Sequence, residues 1–386
     1  MKDNTKLVAT GRPHHRHTFP VNPPVERAST YIFPTYDDFI EGGKAITYGR
    51  LGTPTHRALE EAITALEGGF ETRLTSSGPQ ACNIAILAFV EAGDHVLVVD
   101  SVYDPTRKFC ENFLRRFGVE TSYYSPSATA EELTALMRPE TKLIFAESPG
   151  SLTFEVQDIP ALAKIAHENG AVLVVDNTWS GGYYFKPISH GADASIQAAT
   201  KYLCGHADCL LGSITSADEQ IARKIFKCTL QLGVNVSADD AYLTLRGMRT
   251  LSARLKRHEE NGLLLAKWLS KRGEVERILH PAFKACPGHA LWKRDFTGSS
   301  GLFSAVLKPA SKPAIKTFFN TLKLFGMGYS WGGFESLILE VHPEQHRSVV
   351  PWDEKGIAIR FHAGLEDIDD LTTDLNAAFT AMARAE

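Results

Sequence analysis

The sequence has no Cys-x-x-Cys pair, and its six cysteines (Cys82, Cys110, Cys204, Cys209, Cys228, Cys286) are few for 386 residues. That argues against a disulfide framework and for free thiols in a reducing compartment. No stretch approaches the roughly 18 apolar residues of a membrane-spanning helix. The first residues, Met1 to Lys6, carry no apolar core behind their charges, so a cytoplasmic location is expected. An excess of one charge is missing too. There are 41 Lys plus Arg against 45 Asp plus Glu, and the net charge of −4 is spread along the sequence. A polybasic nucleic-acid binder is therefore excluded. Neither Gly-x-Gly-x-x-Gly after a strand nor Gly-x-x-x-x-Gly-Lys occurs, which removes support for a dinucleotide or nucleoside-triphosphate site. What is present is ordinary for a globular protein: 44% hydrophobic and 22% charged residues, enough to exclude a disordered chain. The length suggests two or three domains at roughly 100 to 200 residues each.

Residues 1–52 read unlike the rest. Pro13, Pro20, Pro23, Pro24 and Pro34 interrupt any helix or strand period, while Tyr31, Phe33, Tyr36, Phe39 and Tyr48 favour an arm packed on another surface. From Thr55 onward helices alternate with short apolar strands. Helical periods cover Arg57 to Leu66, a segment through Ile84 and Phe89, Pro105 to Phe117, Ala130 to Met137 and Ile159 to Asn169. Strands fall at His95 to Asp100, Lys142 to Glu147, Ala171 to Asp176 and Ala194 to Gln197. Near-continuous apolar runs ending in polar residues belong to strands buried on both faces. The expectation is an α/β domain over 53–248 with a mainly parallel sheet, whose ligands bind beyond the carboxyl ends of the strands. Beyond it, a long helix (Ser252 to Ser270), strands at Gly301 to Leu307 and Ile357 to His362, and a final helix suggest a smaller α+β domain over 249–386.

Two strand-end residues invite a chemical reading. Asp176 follows Val172 to Val175, and Lys201 follows Ile196 to Thr200. A desolvated lysine has a lowered pKa and can form a Schiff base; with a carboxylate to keep a pyridinium nitrogen protonated, it supplies what pyridoxal phosphate chemistry requires. The plainer alternative, a surface lysine and a helix cap, fits these two residues equally well. Ser76-Ser77-Gly78 at a helix start adds backbone N–H groups and the positive end of a helix dipole for a phosphate.

Tyr48-Gly49-Arg50, Ser77-Gly78, Glu147-Ser148-Pro149, Asp176-Asn177-Thr178, Ala199-Thr200-Lys201-Tyr202, Gly205-His206 and Gly212 form a series that resembles the Cys/Met-metabolism pyridoxal-phosphate enzymes of fold type I. The resemblance covers nearly the whole chain. Segments 329–337 and 292–301 are most similar to the bacterial β-eliminating branch. The resemblance implies an aspartate-aminotransferase-like large domain, a smaller C-terminal domain and an N-terminal arm. It makes Lys201 the cofactor-bearing lysine, Asp176 the partner of the pyridine nitrogen and Tyr103 the aromatic stacked on the ring. The phosphate is expected at Gly78, Pro79 and Thr200, with Tyr48 and Arg50 reaching it from a neighbouring subunit, where Tyr48 also meets the substrate. Tyr329, Ser330 and Trp331 would shape the substrate end. Arg360 would clamp the substrate α-carboxylate through two parallel hydrogen bonds, which a lysine cannot form. The implied partners are an amino-acid thioether and further copies of the chain, at least a dimer and in most relatives a tetramer, with no nucleic acid and no membrane. A γ-acting relative or a cysteine desulfhydrase would share the cofactor residues, and a non-catalytic cofactor-binding regulator is the alternative from another class.

No metal is expected. His14, His15 and His17 lack partners at metal spacing, Cys204, His206 and Cys209 flank a loop that the family fills with ordinary residues, and His342 and His346 lack a third ligand. Two departures from the family bear on the cofactor. Pro79 has no N–H where relatives use one for phosphate, and Ala198 stands where many relatives have serine. Gly78, Thr200, Tyr48, Arg50 and Gln80 must carry more of the phosphate's binding. Prolonged dialysis should therefore yield partly cofactor-free protein whose absorbance band returns on adding pyridoxal phosphate; protein that stays fully loaded would contradict this.

Overall fold

The computed structural model describes residues 1–13, 18–41 and 46–386, so His14, His15 and His17 lie outside the described residues. Its larger sheet grows from the apolar runs. Val96 to Val99, Leu143 to Ala146 and Leu173 to Val175 are fully buried, and strands without polar alternation need cover on both faces. The seven strands are β1 (Glu71–Thr75), β2 (His95–Val99), β3 (Glu120–Tyr124), β4 (Thr141–Glu147), β5 (Val172–Asp176), β6 (Ala194–Gln197) and β7 (Gly212–Ser216). They lie in the order β1-β7-β6-β5-β4-β2-β3. Pairing is parallel from β3 to β6, and β7 runs antiparallel to both β6 and β1. The sheet is thus mainly parallel, as expected. β1, β3 and β7 escape a hydropathy reading because their residues are largely polar; β7 is Gly-Ser-Ile-Thr-Ser yet buried throughout.

The helix Pro54–Glu67 shows how local sequence sets an element. Proline stands in its first turn, the Thr53 N–H donates to His56 Nδ1 at 3.0 Å, and Gly68 at φ 76° ends it in the left-handed region that glycine accepts without cost. Its buried face is Leu59, Ile63 and Leu66, and Leu7 from near the N-terminus joins the same cluster. Here the sequence expectation needs correction. The first 52 residues do contain helices, Asp3–Ala9 and Tyr36–Glu41. The first precedes every proline, and Arg249 satisfies its terminal carbonyls, donating to Leu7 O at 2.8 Å and Thr10 O at 2.7 Å. The expected helix from Pro105 to Phe117 is also not uniform. It is α over Asp104–Lys108, π over Phe109–Phe113 and 3-10 over Leu114–Phe117, with the Phe109 and Phe113 rings stacked at 5.1 Å.

A second sheet contains β8 (Val275–Leu279), β9 (Leu302–Leu307), β10 (Gly326–Met327), β11 (Leu337–Val341) and β12 (Ile357–His362), in the order β10-β11-β12-β9-β8. Phe303 and Phe361 stack at 5.4 Å in a core closed by the long helix Leu251–Leu269 and the final helix Ile368–Ala385. Two buried histidines tie these parts together. His258 on the long helix contacts Ala363 O at 2.8 Å, and His280 follows β8. No helix among the described residues is long and apolar enough to cross a membrane.

Burial holds both rings neutral, with pKa lowered to about 4 for His258 and about 3 for His280. An unfolded histidine takes up its proton near pH ~6.5. Stability from these two groups is therefore whole above that pH and falls as pH drops toward about 4, by roughly 1.4 kcal/mol per pH unit for each. Denaturant midpoints measured between pH 7.5 and 4.5 should fall with acid and fall less in a His280→Phe variant; a flat profile in the native protein would contradict this.

Candidate active site

The carboxyl ends of β4, β5 and β6 converge on one rim. Glu147 and Asp176 are register partners at the ends of β4 and β5. Asp176 is fixed from its own turn, since Oδ1 accepts the Thr178 N–H at 3.0 Å and the Thr178 hydroxyl at 2.6 Å. Among the described residues its Oδ2 has one hydrogen-bonding neighbour, the Cys82 thiol at 3.7 Å, and Asp176 has no ion-pair partner. Burial accordingly pushes its carboxyl up from the ordinary range, against the pull of Thr178, Cys82 and Lys201.

Lys201 stands on the turn after β6. Its N–H donates to Ala198 O, its carbonyl accepts the Gly205 N–H, and its Nζ donates to Ser330 Oγ at 2.7 Å. The Trp331 ring centroid lies 5.2 Å from Nζ. Burial and the Arg360 charge lower the lysine pKa to about 8, against the opposing pull of Asp176. Ser330 holds a positive φ of 84°, and Gly332 at φ 85° passes so close that a Cβ there would lie 2.9 Å from the Lys201 backbone. Arg360, on β12 between Ile359 and Phe361, donates to Ser330 O at 3.0 Å, and burial lowers its pKa to about 10.

The structure thus brings Lys201, Asp176, Ser330, Trp331 and Arg360 together. Arg360 also lines a cleft of about 420 Å³, together with Tyr103, Tyr329, His342 and His346 among others. Tyr103 is held by its backbone, whose N–H donates to Glu147 Oε2 at 2.6 Å. Burial and Glu147 raise the Tyr103 hydroxyl pKa, so it keeps its proton near neutrality. Tyr329 is largely exposed on the cleft wall. Tyr48 and Arg50 do not join the cleft; both are exposed, and Arg50 donates to Leu230 O at 3.3 Å beside a different hollow.

At the start of the helix Gly78–Leu87 donors are few. Ser77 Oγ accepts the Gln80 N–H at 3.3 Å, Gln80 Oε1 folds back onto Ser76, and Pro79 offers nothing. The Gly78 N–H has no partner among the described residues. A Cβ at Gly78 would lie 2.5 Å from the Ala198 Cβ, so glycine is what lets the helix start sit against the β6 turn. The Thr200 hydroxyl donates to Leu211 O at 3.2 Å and accepts the Leu211 N–H at 2.9 Å, leaving one lone pair and no proton for a phosphate. Two residues without an expected role also matter. Glu147 anchors Tyr103, and its place at a strand end beside Asp176 is a signal the sequence does contain. His362 accepts the Gly332 N–H at 3.1 Å and contacts Glu335 O at 3.0 Å, fixing the loop that carries Ser330. That pairing across a loop is invisible in sequence.

A softened lysine, a buried carboxylate without a counterion and a helix start with a free N–H fit the aldehyde, pyridinium and phosphate of pyridoxal phosphate. They define the class: an α/β enzyme that uses this cofactor. The chain belongs to the Cys/Met metabolism PLP-dependent enzyme family, whose model matches residues 4–380. It is 42% identical to cystathionine beta-lyase MetC of Escherichia coli (strain K12), covering 98% of each chain. It is 39% identical to L-alanine/L-glutamate racemase of Wolbachia pipientis wMel, covering 99% of this chain and 98% of that one. The crystal structure of metB from Corynebacterium glutamicum superposes with a TM-score of 0.91 at 31% identity, covering 98% of both chains.

Gly332→Ala would force a Cβ into the Lys201 backbone at an unfavourable φ, costing roughly 1–2 kcal/mol from the conformation alone. The variant should melt lower and show a shifted or weakened cofactor absorbance band; unchanged melting and spectrum would contradict the close approach.

Proposed function

We propose that the chain is a carbon–sulfur lyase that cleaves L-cystathionine by β-elimination to L-homocysteine, pyruvate and ammonia. The observation that supports this reading is the joint of Lys201, Ser330 and Arg360, in which Lys201 Nζ and Arg360 both bond to Ser330 and Arg360 lies on the wall of the cleft. Similarity to a relative named cystathionine beta-lyase over nearly the whole length supports the choice within the family.

When bound, pyridoxal phosphate supplies an electron sink for the carbanion formed at an amino acid's Cα. The chain's residues do the rest. Asp176, a buried carboxylate without an ion-pair partner among the described residues, would hold the protonated ring nitrogen. Tyr103, whose backbone is held by Glu147, would pack against the ring. Gly78 offers its N–H and the helix dipole to the phosphate, and Tyr48 and Arg50 complete that seat from a neighbouring subunit. Pro79 contributes shape only, and Thr200 positions the β6 turn through Leu211. Arg360, with Ser330 beside it, orients the substrate α-carboxylate, while Tyr329 and Trp331 bound the thioether. Lys201, with a pKa of about 8, takes the Cα proton. Two groups then hold a proton for the departing sulfur, the ammonium of Lys201 and the hydroxyl of Tyr103. The arm of residues 1–52, a cofactor domain of 53–248 and a closing domain of 249–386 make the dimer the smallest unit with complete sites.

Two outcomes test this. With cystathionine, pyruvate should be the main keto-acid product; 2-oxobutyrate as the main product would favour γ-cleavage and overturn the proposal. Arg360→Lys loses paired, charge-assisted hydrogen bonds worth roughly 1.5–3 kcal/mol, so kcat/KM should fall by about 10- to 150-fold; an unchanged value would remove Arg360 from substrate binding.

A further inference from the structure

Three residues downstream of Lys201 a second cluster begins, outside the cleft. Cys204 and Cys209 are buried, 1% and 8% exposed, while Asp208 between them is exposed. Cys204, His206 and Cys209 match no standard metal-ligand spacing, yet the fold turns the two cysteines toward each other. Cys204 Sγ lies 3.2 Å from Asp208 Oδ1, and Cys209 Sγ lies 3.4 Å from Thr244 Oγ1. The two sulfurs and a carboxylate oxygen of Asp208 all fall within 4.8 Å of one another. Around one tetrahedral ion with sulfur at about 2.3 Å, neighbouring donors stand about 3.8 Å apart, so only small side-chain shifts separate this arrangement from a ligand set. His206 is not part of it, because its Nδ1 contacts Cys204 O at 2.6 Å.

The backbone holds the donors in place. Gly205 at φ 73° and Ala207 at φ 56° wind the loop tightly, and the second is a conformation a side-chain-bearing residue rarely takes. The buried Arg254 guanidinium clamps the loop's base, donating to Tyr202 O and Gly247 O at 2.8 Å each. A Cβ at Gly247 would lie 2.1 Å from Cys204 O, so the loop rests directly on the helix Ala238–Met248 that carries Thr244.

We infer that Cys204, Asp208 and Cys209 form a binding site for a thiophilic divalent cation of the zinc and cadmium class, with Thr244 Oγ1 or water completing the tetrahedron. Soft sulfur donors select such ions over magnesium or calcium. Binding replaces two S–H bonds with two metal–sulfur bonds and releases two protons; with the Asp208 carboxylate, the three donors bring −3 against the ion's +2. The Gly205 N–H bonds to the Lys201 carbonyl, so an ion here stiffens the turn on which Lys201 stands.

The test uses cofactor-loaded protein, fully reduced and stripped of metal, titrated with cadmium chloride. One equivalent should saturate an ultraviolet thiolate-to-cadmium absorbance band and release two protons, and zinc should compete. Cys204→Ser and Cys209→Ser should each lose the band, and Asp208→Asn should weaken binding about 10-fold or more. Should a serine variant fold poorly, alkylation of the native protein decides, because one cadmium ion should protect Cys204 and Cys209 and leave the other four thiols as they were. Reduced native protein that gives no band, a band that persists in either folded serine variant, or protection falling on other cysteines would overturn the site.

Discussion

The hydrogen bond from Lys201 Nζ to Ser330 Oγ is the contact on which the site depends. It joins a turn after the larger sheet to a loop beside the smaller one, so neither sheet alone places the lysine. The loop in turn is fixed by Arg360 on the Ser330 carbonyl and by His362 on Gly332, both from β12. A single strand of the second sheet thereby sets where the lysine can point. Its lowered pKa follows from the same enclosure, because burial and the Arg360 charge bring it to about 8.

Charge is distributed with the same economy. Asp176 and Glu147 sit side by side at neighbouring strand ends, both pushed up by burial, and Glu147 also by Asp176. Under the proposed function, a protonated ring nitrogen bound at this rim would relieve that repulsion. The near-neutral whole-chain charge is consistent with the proposed function, because a small zwitterionic substrate would need a few placed groups and no global field.

Much of this was legible in the sequence. Val96 to Val99, Leu143 to Ala146 and Leu173 to Val175 announce buried parallel strands because nothing polar interrupts them. Asp176 and Lys201 stand out because charges at the ends of such strands need a reason. Polar β7 stayed hidden, since hydropathy does not register a strand buried by hydroxyls. The helix Asp3–Ala9 was masked by the prolines that follow it. The Ser330 to Lys201 contact spans 129 residues, and the resemblance of residues 329–337 to known relatives placed Ser330 only at the substrate end, not against the lysine. Cys204 and Cys209 carry no standard metal spacing, and their approach depends on the tight turn through Gly205 and Ala207.

Borohydride reduction of the cofactor-loaded protein, followed by peptide mapping, bears most directly on the assignment of Lys201. The cofactor should become fixed to the peptide containing Lys201, with its visible absorbance band lost, and Lys201→Ala should retain no covalent label. Label on any other lysine, or undiminished label in the variant, would contradict that assignment.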